Sequence, residues 1–164
     1  MPSSADQSAT TQRRRLRFSS IDELLREIER LVAADAAGRL RCAGAWTAGQ
    51  ALGHLAAWID YAYEGYPGKR PPWLVRFIVR LSRQKYLYGG LPAGLRIPGA
   101  PGGTYGTEVL GTEEGARRLR AALERLRREP ARHDSPVFGP MTQEERIALN
   151  LRHAELHLSL LHPE

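Results

Sequence analysis

The stretch TAGQALGHLAAWIDYAYEG, residues 47–65, has helix signals from its first residue to its last. Thr47 is followed three residues later by Gln50, the capping-box spacing that satisfies free amides at a helix start. Gly65 follows the last turn, where glycine commonly ends a helix. Between these ends, apolar residues recur at helical spacing: Leu52, Leu55, Ile59 and Ala62. The stretch therefore predicts a helix over 47–64.

Three further segments have similar lengths and similar boundaries. Ser20 with Glu23 and Thr142 with Glu145 repeat the capping-box spacing, whereas Thr112 opens a segment with acidic residues in its first turn. We expect helices over residues 20–37, 112–129 and 142–162. No segment alternates strongly with period two, so a sheet is not expected. The predicted fold class is all-α, a four-helix bundle.

Composition limits the classes of protein that this chain can be. Its 164 residues are 42% apolar and 26% charged, which suits one globular domain. The single Cys42 excludes an internal disulfide and multi-cysteine metal sites, and it fits a cytoplasmic protein. No run of 18 apolar residues predicts a membrane span. Residues 1–17 lack the apolar region of an export signal; we expect them to form a disordered tail before a domain over 18–164.

The connection between the second and third predicted helices, residues 66–111, is too long for a hairpin loop. We interpret it as a basic crossover insert, in which PWLVRFIVRLSRQKYL (72–87) forms a short amphipathic helix and Gly and Pro dominate the remainder. The formal net charge of the chain is +6. From Tyr66 to Thr107 there is no acidic residue, and there are seven basic ones: Lys69, Arg70, Arg76, Arg80, Arg83, Lys85 and Arg96.

The stripe formed by Arg76, Arg80 and Arg83 has several interpretations. The simplest is a packed connecting helix whose arginine stems cover the core. A lid that attracts an anionic substrate is a second, and a membrane-surface or nucleic-acid contact is a third. Nucleic acid is disfavoured because the chain has no zinc finger, RNP signature or GxxG loop.

The chain has five histidines, of which three suit a common site. His153 and His157 are four residues apart and share one face of the last predicted helix. His54 lies on a largely apolar stretch of the second. Together they can form a three-nitrogen metal site with open positions, although buried structural histidines are the alternative. His133, His162 and a surface Glu155 are not expected to be ligands, and Cys42 is not expected to be a nucleophile.

These motifs resemble the DinB-like (DinB/YfiT-like) metalloenzyme superfamily, in an uncharacterised branch. The resemblance lies in WTAGQALGHL (46–55) and in RHAELHLSLLHP (152–163). It implies a four-helix bundle that binds one divalent metal through His54, His153 and His157. Relatives often dimerise, and some are transferases or isomerases that use a low-molecular-weight thiol. Leu158 and Leu161 stand where many members have a second histidine and a glutamine, so a specific activity does not transfer.

The sequence and the resemblance together favour a metal-dependent enzyme. We expect a divalent ion (zinc, nickel, iron or manganese) and either hydrolysis or thiol-dependent transfer on a small anionic substrate, with no catalytic residue identified beyond the ligands. The alternative is a non-catalytic helical bundle that binds a ligand or a partner and whose histidines are structural.

Overall fold

The computed structural model describes residues 12–97 and 99–164, and the chain is mostly helical, as predicted. Four long helices are α1 (Ile21–Ala36), α2 (Ala48–Glu64), α4 (Thr112–Arg128) and α5 (Gln143–Leu158). The shorter helix α3 (Trp73–Leu81) is followed by a π-helix at Lys85–Gly89 and a 3-10 turn at Pro101–Gly103. Two short strands, β1 (Leu40–Cys42) and β2 (Leu161–Pro163), complete the described elements. In this part of the chain, no helix combines the length and apolar character needed to span a membrane.

Three helices begin at the predicted cap residues Ser20, Thr47 and Thr142. Full capping boxes form between Thr47 and Gln50 and between Thr142 and Glu145. The Ser20 hydroxyl accepts a hydrogen bond from the Glu23 amide, but the Glu23 carboxylate accepts from Ser19 instead of completing the box. Helix α4 is capped by Gly111, and Thr112 is its first helical residue. The prediction that this helix opens at Thr112 is therefore confirmed.

The C-terminal end differs from the prediction. Helix α5 stops at Leu158, and the following residues form β2 in place of another helical turn. Strand β2 pairs antiparallel with β1, with Arg41 opposite His162 at the centre. The expectation that a sheet is absent is wrong for this ribbon, because six residues in two short strands carry no detectable alternation. The ribbon fixes the end of the chain to the loop that follows α1.

Buried apolar side chains of all four long helices form one core. Helices α2 and α4 approach so closely that glycines are required between them. A Cβ on Gly115 would lie 2.6 Å from the Gly49 carbonyl oxygen, and a Cβ on Gly49 would lie 2.6 Å from the Gly111 carbonyl carbon. Real Cβ atoms do not approach the backbone so closely, so this contact holds α2 in one position against α4.

Residues 13–18 lie along the C-terminal half of α5. The Arg14 amide donates to the Ser159 carbonyl at 2.8 Å, and Phe18 is buried in the core. Glu155 accepts the Phe18 amide at 2.6 Å, and Arg152 donates to the Phe18 carbonyl while it pairs with Glu155 at 2.8 Å. The prediction of a surface Glu155 is wrong, because its largely buried carboxylate anchors this segment. Residues 13–17 belong to the predicted disordered tail, but in the structure this segment contacts α5. Residues 1–11 of the predicted tail lie outside the described residues.

Candidate metal centre

The three predicted histidines meet at one point between α2 and α5. Nε2 of His153 lies 3.2 Å from Nε2 of His54 and 3.1 Å from Nε2 of His157. One nitrogen from each ring lies within 4.8 Å of the other two. Two ligands held about 2.0–2.1 Å from a zinc ion at a tetrahedral angle are about 3.3 Å apart. The two spacings measured from His153 therefore match neighbouring ligands of one small divalent ion.

The insert orients the His54 ring. Nδ1 of His54 lies 2.9 Å from the carbonyl oxygen of Tyr105, and the indole of Trp58 donates to the same oxygen at 3.3 Å. A carbonyl only accepts, so Nδ1 of His54 carries the hydrogen and Nε2 presents a lone pair to the cluster. Metal-binding histidines are commonly oriented by this type of hydrogen bond. Gly106, with φ of +73°, supports the turn that places the carbonyl there.

Two tryptophans flank the histidines. The ring of Trp46 stacks on His157, with centroids 5.1 Å apart and an interplanar angle of 12°. Trp58 meets His153 edge-on at 6.0 Å. His54 is only 2% exposed, whereas His153 and His157 are partly exposed. The aromatic rings restrict the rotamers of the imidazoles and remove water from part of the cluster.

All three imidazoles are neutral at physiological pH. Desolvation lowers the pKa of His54 to about 4, although its hydrogen bond to Tyr105 opposes the shift. Desolvation, followed by repulsion from His54 and Arg13, lowers the pKa of His157 to about 3. The pKa of His153 also falls well below its usual value, again through desolvation and then through repulsion from the other two histidines. Neutral imidazole is the form that binds a metal.

The hydrogens of the cluster are too few for its contacts. Nε2 of His54 has no hydrogen, because Nδ1 holds it. A neutral His153 has at most one hydrogen on Nε2, which faces both neighbours. If Nε2 of His153 carries the hydrogen, it can donate to Nε2 of His54 but has no second hydrogen for Nε2 of His157. If Nε2 of His153 has no hydrogen, its lone pair faces the lone pair on Nε2 of His54. One contact is unsatisfied in either tautomer, whereas a cation would satisfy three lone pairs at once.

The other residues considered in the sequence lie outside this cluster. His133 is exposed in the loop before α5, and its carbonyl accepts from Arg146. His162 lies in β2, opposite Arg41. Cys42 lies at an exposed position in β1. Partial desolvation of the thiol raises its pKa, whereas an activated nucleophile would have a lowered pKa. None of these residues joins the three-histidine cluster.

Two clefts adjoin the cluster. One, of about 230 Å³, contains His157 in its wall together with Trp46, Arg13 and Gly44. The other, of about 280 Å³, lies beyond Trp58 and is lined by insert residues that include Lys69 and Arg70. The smaller cleft reaches a candidate ligand directly. The cation that lines it is Arg13 from the N-terminal segment, not a residue of the basic insert.

The family of this chain is defined by its match to known sequences. A family model described as "Protein of unknown function (DUF1569)" matches residues 10–164, nearly the whole chain. The chain belongs to the DUF1569 family. Comparison of this DUF1569 protein with curated proteins and with solved structures gives no match. Family membership therefore assigns no chemistry, and functional inference depends on the site itself.

Sequence reasoning missed three contributors to the site of this DUF1569 protein. Tyr105 acts through its backbone carbonyl, which no residue pattern marks. Arg13 reaches the cleft from a segment without helical periodicity. Trp46 enters the sequence argument only through the resemblance, and its position directly before the Thr47 cap is the one sequence signal for a role beside α2.

Proposed function

We propose that this DUF1569 protein is a metal-dependent enzyme that holds one divalent ion with His54, His153 and His157 and acts on a small anionic substrate. The observation that carries the proposal is the cluster of three Nε2 atoms, in which that of His153 lies 3.1–3.2 Å from the other two and the hydrogens are too few to satisfy these contacts. Three neutral ligands leave the ion its full charge, which can lower the pKa of a water or thiol and polarise a carbonyl. Hydrolysis and thiol-dependent transfer are the reaction classes that use this chemistry.

The residues around the ligands have separable roles in this proposal. The Tyr105 carbonyl fixes the tautomer and orientation of His54, and Trp46 holds the His157 ring by stacking. Arg13 lines the cleft at His157, where its positive charge favours an anionic group. Its guanidinium is itself positioned by the Leu156 carbonyl at 2.5 Å and the Ser159 hydroxyl at 2.9 Å.

The arrangement of helices supports the finer fold assignment that we propose with this function. The core is shared by α1, α2, α4 and α5, as a four-helix bundle requires, and two of these helices supply all three histidines. The long insert between α2 and α4 suits a crossover connection. We therefore retain the DinB-like superfamily as the proposed relationship, supported by the histidine positions.

Metal analysis of protein purified without an affinity tag tests the proposal. We expect about one zinc, nickel, iron or manganese ion per chain in the wild type and in His133→Ala, which changes an exposed loop histidine. His54→Ala and His157→Ala should each lose most of the metal. Circular dichroism spectra of the variants separate metal loss from unfolding.

Two results would contradict the proposal. One is a folded wild type that binds no divalent metal even after incubation with each of the four ions. The other is unchanged metal content in both folded site variants. Either result favours the alternative, in which the histidines are structural and chelators leave the stability of the protein unchanged.

A further inference from the structure

Helix α3 presents its apolar face to solvent. Within the part of the chain that the structure describes, α3 has no buried residue. Six of its seven apolar side chains are substantially exposed, and Val79 is partly exposed. The six are Trp73 75%, Leu74 52%, Val75 47%, Phe77 54%, Ile78 57% and Leu81 73%. Single exposed apolar residues are ordinary, but a contiguous helical stripe of this size marks an interaction surface.

The opposite face of α3 is fixed to the protein through arginines. Arg83, just beyond the helix, forms an ion pair with Glu145 at the start of α5. The Arg80 guanidinium packs against Gly139, and Nε of Arg76 is buried. The usual orientation of a surface helix, with apolar residues inward and charges outward, is therefore reversed. Of the interpretations of the insert helix, an arginine face directed at the protein agrees with the simplest one, but the apolar stripe of the helix is not buried on the core.

Exposed cations lie at both ends of this apolar stripe. Lys69 and Arg70 precede α3, and Lys85 follows it, all on exposed positions. Among the described residues, no carboxylate lies within ion-pair distance of these three cations; Arg83 is the one basic residue of the insert that has such a partner. The segment from Tyr66 to Thr107 contains no acidic residue, and Asp134 is the one acidic residue in the lining of the cleft that holds Lys69 and Arg70. The surface combines apolar side chains with cations that form no ion pair among the described residues.

We propose that α3 docks this protein onto an anionic lipid surface, with the helix axis in the plane of the membrane. Nine residues extend about 14 Å, too short to span a bilayer but suited to the interface. Trp73 and Phe77 suit the headgroup boundary, where aromatic residues are enriched. Lys69, Arg70 and Lys85 would contact anionic headgroups. This docking is independent of the metal centre.

Charge distinguishes a lipid surface from the other candidate occupants. In a two-fold pair of chains, the same patch contacts itself. An antiparallel pair of α3 helices would place Lys69 and Arg70 near Lys85 of the second copy and would oppose like charges. Nucleic acid would contact the cations but would leave the apolar stripe in water. An anionic membrane satisfies both features of the surface.

Vesicle flotation tests the proposal on the full chain. The probes are vesicles of phosphatidylcholine mixed with phosphatidylglycerol and vesicles of phosphatidylcholine alone. We expect binding to the anionic vesicles, weakened by salt, with a blue shift of tryptophan fluorescence that Trp73→Phe removes. Ile78→Asp should weaken binding by about tenfold or more. Val109→Asp is the matched control, because Val109 is 77% exposed and lies outside α3.

Each remaining outcome supports or overturns the proposal. His54→Ala should bind anionic vesicles as the wild type does, since the metal centre is separate. Absence of binding, or equal binding to the two vesicle types, would overturn the proposal. So would equal losses in Ile78→Asp and Val109→Asp. A wild-type dimer in analytical ultracentrifugation that Ile78→Asp dissociates, together with no vesicle binding, would assign the surface to a second copy of the chain.

Discussion

The metal-free protein should lose stability on mild acidification, because its histidine cluster is neutral in the folded state and protonated in the unfolded chain. The pKa values of His54 and His157 fall from 6.5 to about 4 and about 3 on folding. A folded pKa below the unfolded one gives stability that is complete above the unfolded value and is lost as the pH falls. The loss begins below about pH 6.5 and continues to the folded values.

The size of the effect follows from the unfolded chain. At about pH 5 both imidazoles remain largely neutral in the folded protein. The same pH lies about 1.5 units below the pKa of a histidine in the unfolded chain, which is therefore protonated. Since one unit corresponds to about 1.4 kcal/mol, each histidine contributes a loss of about 2 kcal/mol, or about 4 kcal/mol for the two. His153 acts in the same direction. Such a loss is a large fraction of the 5–15 kcal/mol typical of a whole domain.

Urea unfolding in the presence of a chelator, at about pH 8 and pH 5, measures this loss. The His54→Gln variant should show a smaller fall in the free energy of unfolding than the wild type, by about 2 kcal/mol. His133→Gln, which changes a histidine outside the cluster, should behave as the wild type. The reasoning is refuted if all three proteins lose the same free energy, because the fall would then come from other groups.

Three other substitutions test the packing and the site. Gly106→Ala places a Cβ 2.8 Å from a Cβ of α2 and strains a left-handed φ of +73°, so the Tyr105 carbonyl should shift. The affinity for metal should then fall about 10–100-fold in calorimetric titration. Unchanged affinity in a folded variant would count against the role of that carbonyl. In Gly49→Ala the new Cβ would collide with the backbone at the α4 cap, and the free energy of unfolding in urea should fall by about 1–3 kcal/mol. In Gly53→Ala the new Cβ would contact the end of a leucine side chain, and the free energy of unfolding should fall by less. Equal losses in the two variants would contradict the close approach of the two backbones. In the cobalt-loaded protein, inorganic phosphate should change the visible spectrum, and Arg13→Gln should weaken this change several-fold. Arg15→Gln, at an exposed position, should respond to phosphate as the wild type does. Similar responses in the two variants would show that Arg13 does not contribute to anion binding.

The helices were predictable because their signals are local. Capping boxes at Thr47 and Thr142 depend on side chains three residues apart, and both form as expected. The end of α5 was not predictable in this way. Leu161–Pro163 leaves the helix to pair with β1, a partner about 120 residues earlier in the chain, and sequence spacing carries no information about such distant pairing.

The candidate site divides in the same manner. His153 and His157 share a helical face by spacing alone, and His54 stood out as a polar residue on an apolar stretch. Their convergence depends on how α2 and α5 pack, which the resemblance implied and spacing did not. The prediction of a surface Glu155 is wrong because helical spacing shows only that this side chain points away from His153. It cannot show that the segment with Phe18 covers that side of α5.

The orientation of the insert helix was likewise beyond local signals. The amphipathic pattern of α3 was evident, and a globular chain normally buries the apolar side of such a helix. In the structure the apolar side of α3 faces outward instead, because Arg83 forms an ion pair with a carboxylate of α5 and the Arg80 guanidinium packs against Gly139. A Cβ at Gly139 would collide with that guanidinium. The partners of charged residues, which are remote in sequence, decide which face turns inward.

X-ray absorption on protein loaded with one equivalent of zinc tests the central claim most directly. The account predicts a first shell that contains three imidazole nitrogens at about 2.0–2.1 Å, with one or two further light ligands. His54→Ala should reduce the imidazole contribution to two. A shell of oxygen atoms with no imidazole scattering, the same in the wild type and in His54→Ala, would contradict the claim that these three histidines form a metal centre.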